Sequence, residues 1–160
     1  MGVRRPWNIV NVPIYSLATY AGENINMNIC TYVSAVSMKP KIYMIAVDYS
    51  THTYEMLKNG AKAVLQLLDQ SQINLVKPLG KKTGKNFDKQ QYLQKKEHLS
   101  VWNGHTVLRD ACAYLELNIL DQKNIDGDHQ LFWFEVKKSK TISEDGILMF
   151  QDLINQGIIL

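Results

Sequence analysis

Short apolar runs alternate with turn-forming residues along most of the chain, and this pattern predicts a protein built mainly of β-strands. Lys41 to Asp48 is almost continuously apolar, as in a strand buried on both faces. Val107 to Asp121 alternates apolar and polar side chains, as a half-buried strand does. Further strands are predicted at Trp7 to Pro13, Ile14 to Tyr20, Ile25 to Tyr32, Ala61 to Leu68, Leu131 to Val136 and Ile147 to Phe150. About seven short strands joined by tight turns favour an antiparallel barrel, which leaves no exposed strand edges.

A few short helices are predicted between these strands. The first runs from Tyr54 to Gly60, with Ser50 or Thr51 as its N-cap and a glycine at its end. The second begins after Asp69, because Gln72 stands three residues further on, as in a capping box.

Length and composition limit the class of protein. The 160 residues, 46% of them hydrophobic and 21% charged, fit one globular domain over residues 1–160. The net charge of +3 is too small for the basic surface of a nucleic-acid-binding protein, although it suits an anionic ligand. No apolar run reaches the roughly 20 residues of a membrane span, and the two cysteines form no CxxC pair. We therefore expect a cytoplasmic protein without a membrane or nucleic-acid partner.

The stretch from Asn26 to Thr53 is rich in hydroxyl and amide side chains and leads into the first predicted helix. Ser50, Thr51, His52 and Thr53 stand together at that helix entrance. The first turn of a helix has unpaired N–H groups and a dipole that attracts anions. This entrance therefore predicts a site for a phosphorylated ligand.

Lysines are concentrated in the turn-prone segment Lys81 to Lys85, which precedes a polar segment with helical spacing, Phe87 to Lys96. One interpretation is an exposed loop and helix whose charges face water. The other is that one of these lysines reaches the anion at the predicted helix entrance.

Side chains for acid–base or nucleophilic catalysis do not form a known motif, and the four histidines lack metal-ligand spacing. Gly127-Asp128-His129 has two interpretations. It is a hairpin turn in which Gly127 takes a positive φ, or it places His129 at the mouth of the barrel beside a flat substrate. If the protein is an enzyme, a bound cofactor carries the reaction, and the protein supplies position and electrostatics.

Four segments, taken in order, resemble the flavin reductase-like family of FMN-binding split barrels. They are Asn26 to Ser34 with Val36 to Pro40, Ser50 to Leu57, Gly104 to Leu117, and Gly127 to Val136. The first is similar to that family's flavin-contacting strand and its V-S-x-x-P turn, and the last is similar to its G-D-H-x-L-F motif. Each segment is weakly specific alone, but their order and spacing make the set specific.

The resemblance implies a mainly β fold with short helices: a six-stranded antiparallel split β-barrel that forms a homodimer. The implied cofactor is FMN, with FAD as the alternative, and NADH or NADPH is the hydride donor. The implied activity is that of a flavin reductase, supplying reduced flavin to a partner monooxygenase or another electron acceptor. Two other functions stay open: a flavin-binding electron carrier that does not itself oxidise NAD(P)H, and a barrel without a ligand that acts in protein interaction.

The resemblance also implies roles for individual side chains. The flavin ring and ribityl chain would contact Asn28, Cys30, Thr31 and Ser34, and the phosphate would lie at Ser50, Thr51, His52 and Thr53, assisted by Lys85 or Lys89. His129 would help to place the nicotinamide over the flavin, so that hydride passes to flavin N5 because the two rings are held stacked. Gln66 and Phe134 stand where that family commonly has asparagine and glycine.

Overall fold

A computed structural model describes residues 2–159 and has a mainly β fold with short helices, as the sequence predicts. Within these residues the strands are β1 (Tyr15–Ala21), β2 (Asn24–Met27), β3 (Val33–Ser37), β4 (Ile42–Asp48), β5 (Lys62–Leu67), β6 (Leu99–Trp102), β7 (His105–Leu108), β8 (Ala113–Asn124) and β9 (His129–Thr141). The α-helices are α1 (Pro6–Ile9), α2 (His52–Lys58), α3 (Val76–Gly80), α4 (Lys89–Lys95) and α5 (Phe150–Asn155), with a 3₁₀-helix at Gln70–Leu75.

Seven of the strands form one antiparallel sheet in the order β2-β1-β5-β8-β9-β4-β3, and β6 pairs with β7 in a separate hairpin. The chain between β2 and β3 brings the two sides of this sheet together. Cys30 exchanges two backbone hydrogen bonds with Tyr15 of β1, at 2.8 and 3.0 Å, and Ala46 N–H of β4 donates to Tyr32 C=O at 3.0 Å. The sheet is thereby closed into a barrel, which leaves few strand edges unpaired.

The implied count of six strands is too low, because the described residues contain nine. The predicted strand from Val107 to Asp121 is interrupted at Asp110, whose φ of 70° is incompatible with an extended strand. β7 therefore leaves the barrel and pairs with β6 through a two-residue turn at Asn103 and Gly104. Their φ values of 48° and 78° are those of a hairpin turn in which both residues are left-handed.

Two predicted strands at the ends of the chain are wrong. Trp7 to Pro13 begins instead with the short helix α1, where Pro6 occupies the first turn that its fixed φ favours. Ile147 to Phe150 makes only isolated bridges, such as Pro13 to Met149, before α5 begins. Apolar runs this short do not by themselves distinguish strand from helix.

The core is divided between the barrel interior and a layer under the helices. Leu17, Ile45 and Phe132 are fully buried in the interior cluster, whereas Ile14 and Leu79 belong to the cluster under the helices. The prediction that Lys41 to Asp48 is buried on both faces is wrong, because only Ile45 and Val47 of β4 are fully buried. The side chains of β4 alternate between buried and partly exposed at its end, because the second face of the strand is only partly covered.

The predicted helix starts are confirmed at two capping residues. Thr51 is the N-cap of α2, and its Oγ1 accepts the Tyr54 N–H at 3.2 Å. Asp69 and Gln72 form a reciprocal capping box at the start of the 3₁₀-helix. In residues 2–159, none of the helices has the length and apolar character needed to cross a membrane.

Candidate functional site

Two adjoining cavities lie beside the start of α2. They share a wall formed by Asn28, Ile29, Asp48 and Thr51. The first, here called the helix cavity, has a volume of about 300 Å³ and extends from Ser50–Thr53 to Lys89 and to residues 79–84, which are the end of α3 and the loop that follows it. The second, here called the histidine cavity, has a volume of about 270 Å³ and is lined by residues 28–32, the end of β4 and His129. Together they reach the size of small-molecule sites in proteins, which is roughly 300–1,000 Å³.

The hydroxyl groups predicted at the helix entrance do line the helix cavity, but each already has a protein partner. Ser50 Oγ donates to Asp48 Oδ1 at 2.7 Å, and Thr51 Oγ1 donates to the Asp48 C=O at 2.7 Å. Thr53, which is almost fully buried, accepts a hydrogen bond from Asn26 Nδ2 at 3.0 Å. Because Thr53 is the acceptor in this bond, its own hydroxyl hydrogen can still be donated to a ligand.

The two candidate lysines differ in burial. Lys85 is exposed, and its Nζ lies 2.9 Å from Glu55 Oε1 in an ion pair on the surface. Lys89 is only 6% exposed and lines the helix cavity, and its Nζ donates to the Leu79 C=O at 2.8 Å. Within the described part of the chain Lys89 makes no ion pair, and burial lowers the pKa of its ammonium to about 8. A buried cation without a counter-ion is costly, and an anion in the cavity would offset that cost.

Two further buried polar atoms border the helix cavity without a hydrogen-bond partner in residues 2–159. They are Asn26 Oδ1 and His52 Nδ1, the latter 3.5 Å from a Glu55 carboxylate oxygen. Gly84 lies directly against both side chains, since a Cβ at this position would be 2.3 Å from Asn26 Oδ1 and 3.1 Å from His52 Cδ2. Only glycine therefore allows the lysine-rich loop to pass so close to the entrance of α2.

Residues 28 to 31 connect the two cavities along the segment that closes the barrel. Asn28 Oδ1 accepts a hydrogen bond from the Leu17 N–H of β1 at 2.8 Å. The Asn28 side chain therefore takes the place of a backbone carbonyl as the acceptor for Leu17, and this bond fixes its position. Burial raises the pKa of the Cys30 thiol to about 12, which keeps it protonated and unreactive at neutral pH. Thr31 lies with Cys30 in the histidine cavity, whereas Ser34 is exposed on β3 and lines neither of the two cavities.

His129 begins β9 and lines the histidine cavity beside the ring of Tyr32, at a centroid distance of 5.2 Å. Its Nδ1 lies 2.6 Å from Asp128 Oδ1. An ionised carboxylate can only accept, so Nδ1 carries the proton and Nε2 is left for a ligand. In the preceding turn the left-handed residue is Asp126, with φ 59°, and not Gly127 as the hairpin-turn interpretation held. Asp126 tolerates this conformation because a short polar side chain can satisfy the backbone locally.

Sequence reasoning did not single out three residues that the structure brings to the site. Asp48, Asn26 and Gly84 all line the helix cavity. A signal existed for Asp48, because an aspartate two residues before a serine commonly hydrogen-bonds the backbone of the following turn. Neither spacing nor composition indicates that Asn26 and Gly84 meet, because they lie in distant parts of the sequence.

The chain belongs to the flavin reductase like domain family, which it matches over residues 8–154. This confirms the resemblance of the four segments described above. Among the residues that the structure describes, no group of His, Cys, Asp or Glu has the arrangement needed to hold a metal ion.

Solved structures with this fold include several flavoproteins. The FMN-binding protein from Thermus thermophilus with bound 1-cyclohex-2-enone is 19% identical, with a TM-score of 0.75 over 88% of this chain and 76% of that chain. The flavin reductase PheA2 is 22% identical, with a TM-score of 0.74 over 90% and 88% of the two chains. The flavin reductase of the styrene monooxygenase from Pseudomonas putida is 20% identical, with a TM-score of 0.75 over 90% and 88%. At these identities the similarity concerns the fold.

Two curated relatives are named as diflavin flavoproteins. Diflavin flavoprotein A 6 from Nostoc sp. is 29% identical over 127 residues, which are 79% of this chain and 22% of that protein. Diflavin flavoprotein A 4 from Synechocystis sp. is 28% identical over 124 residues, which are 73% of this chain and 19% of that protein. The chain therefore spans about a fifth of the length of these relatives.

Proposed function

We propose that this domain binds FMN and catalyses its reduction by NADH or NADPH, as an NAD(P)H:flavin oxidoreductase. The observation that carries the proposal is the buried Lys89 ammonium, which lines the helix cavity without an ion-pair partner in residues 2–159. A phosphate group would supply the missing counter-charge. The residues that line the helix cavity therefore fit the phosphate end of a flavin nucleotide.

The phosphate end is assigned to the helix cavity. Lys89 would contribute the charge, and Ser50, Thr51, His52 and Thr53 would surround the phosphate at the first turn of α2. N–H groups of that turn have no partner within the helix and add donors. Lys85 is a weaker candidate than Lys89, because it is exposed and already paired with Glu55.

The ring end is assigned to the histidine cavity. Asn28, Cys30 and Thr31 would contact the isoalloxazine and ribityl groups, since they form the wall that runs from one cavity to the other. A bound flavin supplies the hydride-accepting ring that the side chains of this chain lack. His129, with its Nδ1–H held by Asp128, would hold the nicotinamide by Nε2 and so limit its orientation.

This division of roles requires no side chain of the two cavities to act as a general acid or base. The protein binds and orients two planar rings and excludes water from between them, and orientation of this kind can supply much of the acceleration. Cys30 has no role as a nucleophile, because its raised pKa keeps the thiol neutral.

FAD stays the alternative cofactor. A further cavity of about 370 Å³ adjoins the helix cavity, and the two share Asn26, His52, Gly84 and Lys89. This space would receive the adenosine half of FAD beyond its first phosphate. Both nucleotides are therefore titrated in the same experiment.

The proposed assembly is a homodimer, and the proposed partner is a monooxygenase or another acceptor of reduced flavin. Tyr32, Val36 and Met38 support the dimer, because these large apolar side chains are 61%, 50% and 80% exposed on and around β3. Ser34 lies on the same strand, so a second copy of the chain would bring it into an interface. The flavin reductase of the styrene monooxygenase, which has this fold, supports the acceptor.

A second candidate function is a flavin-binding electron carrier within a larger redox protein. The observation in its favour is that the curated relatives are named as diflavin flavoproteins and are about five times as long as the matched segment. Phe134 does not support this function, although it stands where the family commonly has glycine, because the residue is fully buried in the barrel interior and lines neither cavity.

One experiment separates the candidates. The purified protein is titrated with FMN and with FAD, followed by visible absorbance, and is then mixed anaerobically with NADH and with NADPH in a stopped-flow instrument. A reductase bleaches the bound flavin within seconds, whereas a carrier binds flavin but is not reduced by either nucleotide. A barrel without a ligand shows no saturable change at millimolar flavin.

A further inference from the structure

The last residue of β4, Asp48, places a carboxylate in the wall shared by the helix cavity and the histidine cavity. Asp48 Oδ1 accepts two hydrogen bonds from Ser50, from its N–H at 2.8 Å and from its hydroxyl at 2.7 Å. These bonds hold the pKa of Asp48 below its ordinary value, so the carboxylate is ionised at neutral pH. The Asp48 carboxylate, an anion of the protein itself, therefore already accepts hydrogen bonds from two of the donors at the helix entrance.

No cation forms an ion pair with this carboxylate in residues 2–159, although His129, its cross-strand partner on β9, adds to the two Ser50 hydrogen bonds in lowering its pKa. Among the described residues, no lysine, arginine or histidine nitrogen lies within 4.0 Å of the Asp48 oxygens. The lysines that line the helix cavity have other contacts: Lys81 donates to the Ile158 C=O, Lys82 lies over the Phe87 ring, and Lys89 donates to the Leu79 C=O. A phosphate that enters the helix cavity would therefore meet a like charge and would compete with it for the Ser50 donors.

We propose that Asp48 limits the affinity of the site for the phosphate of a flavin nucleotide. This inference rests on the proposed function, because it takes the helix cavity as the phosphate site. It assigns to Asp48 a specificity role: the carboxylate lowers the preference for FMN over riboflavin, which has the same ring but no phosphate. A purely structural role, as the residue that holds the Ser50 turn, would not distinguish these two ligands.

The test is Asp48→Asn, measured with FMN and with riboflavin. The amide oxygen of asparagine can still accept both Ser50 hydrogen bonds, so the turn is retained while the charge is removed. The Kd for FMN is expected to fall about fivefold, equivalent to about 1 kcal/mol at 1.36 kcal/mol per tenfold. The Kd for riboflavin is expected to stay unchanged. Asp121→Asn is the matched control, because it removes the same charge from an exposed position outside both cavities, and it should leave both affinities unchanged.

The outcomes separate this inference from the proposed function. An equal change in FMN and riboflavin affinity, or weaker FMN binding, would overturn the role of Asp48 while flavin binding stands. A wild-type protein that binds neither flavin would remove the proposed function and this inference together. If Asp48→Asn does not fold, Asp48→Ser retains a short polar acceptor at the turn without the charge and is judged by the same two affinities.

Discussion

The buried lysine of the helix cavity gives the most informative prediction. Lys89→Met removes the ammonium and leaves an unbranched side chain of similar length in the same position. We expect the Kd for FMN to rise about 30- to 150-fold, because a hydrogen bond to a charged group contributes about 2–3 kcal/mol when it is buried. The unliganded protein should keep its stability or gain some, since the pKa shift of Lys89 from 10.5 to about 8 corresponds to a penalty of roughly 3 kcal/mol.

The pH dependence follows from the same shift. Because burial lowers the pKa of Lys89, the penalty on the unliganded fold is fully present below about pH 8 and disappears as the pH rises toward 10.5. The stability of the unliganded fold should therefore rise above about pH 8, whereas the affinity for FMN should fall there, because the free protein loses the Lys89 ammonium. Lys89→Met should show neither dependence.

The assay is an equilibrium titration of FMN between about pH 6.5 and 9.5, with urea unfolding of the unliganded proteins in parallel. The lower limit keeps the phosphate mostly doubly charged, because its second pKa is about 6. Lys85→Met is the matched control, and it should change the Kd less than about twofold, because it removes an exposed and already paired charge. A Kd for FMN within twofold of the wild type in Lys89→Met would refute the assignment of the phosphate to Lys89. A larger rise in this Kd for Lys85→Met than for Lys89→Met would refute it as well.

Three further substitutions test the site and its support. His129→Ala should slow flavin reduction by NADH at least about tenfold in stopped-flow experiments while FMN affinity stays within about twofold; equal losses would remove His129 from the nicotinamide role. Gly84→Ala places a Cβ 2.3 Å from a buried amide oxygen, and it should lower the free energy of unfolding by about 1–3 kcal/mol and weaken FMN binding. Gly127→Ala is its control, because the nearest atom there is 4.0 Å away, and equal stability losses would contradict the close approach. Gln66→Leu leaves the buried Leu108 N–H without the acceptor that now lies 2.6 Å away, and urea unfolding should show a loss of about 1–3 kcal/mol; a neutral result would mean that this bond is dispensable.

Much of the fold could be predicted from local patterns, and the errors have local causes. Apolar periodicity located β1, β4, β5, β8 and β9, because each buries at least one face. It did not show that β7 leaves the barrel, since no proline or glycine marks the break at Asp110. The turn at Asn103 and Gly104 did carry a signal, because Asn-Gly between apolar runs is typical of a two-residue hairpin.

The types of residue that form the site could be predicted from the sequence, but the hydrogen bonds and ion pairs between them could not. The hydroxyl-rich entrance to α2 was evident from Ser50 to Thr53, and these residues do line one cavity. Their bonds to Asp48 and Asn26 depend on how β4 and β2 meet α2, which the sequence does not specify. The choice between Lys85 and Lys89 also needed the structure, because Lys85 ends the basic segment and Lys89 lies only four residues later, and they differ in burial and in the ion pair that Lys85 makes with Glu55.

The central claim is that this domain holds a flavin with its phosphate in the helix cavity. The most direct measurement is the equilibrium titration of the wild-type protein with FMN and with riboflavin at neutral pH, followed by visible absorbance. We expect one saturable FMN site for each chain and a Kd for FMN at least about tenfold lower than that for riboflavin, as one charged hydrogen bond would provide. No saturable change at millimolar FMN, or equal affinities for the two ligands, would contradict the claim.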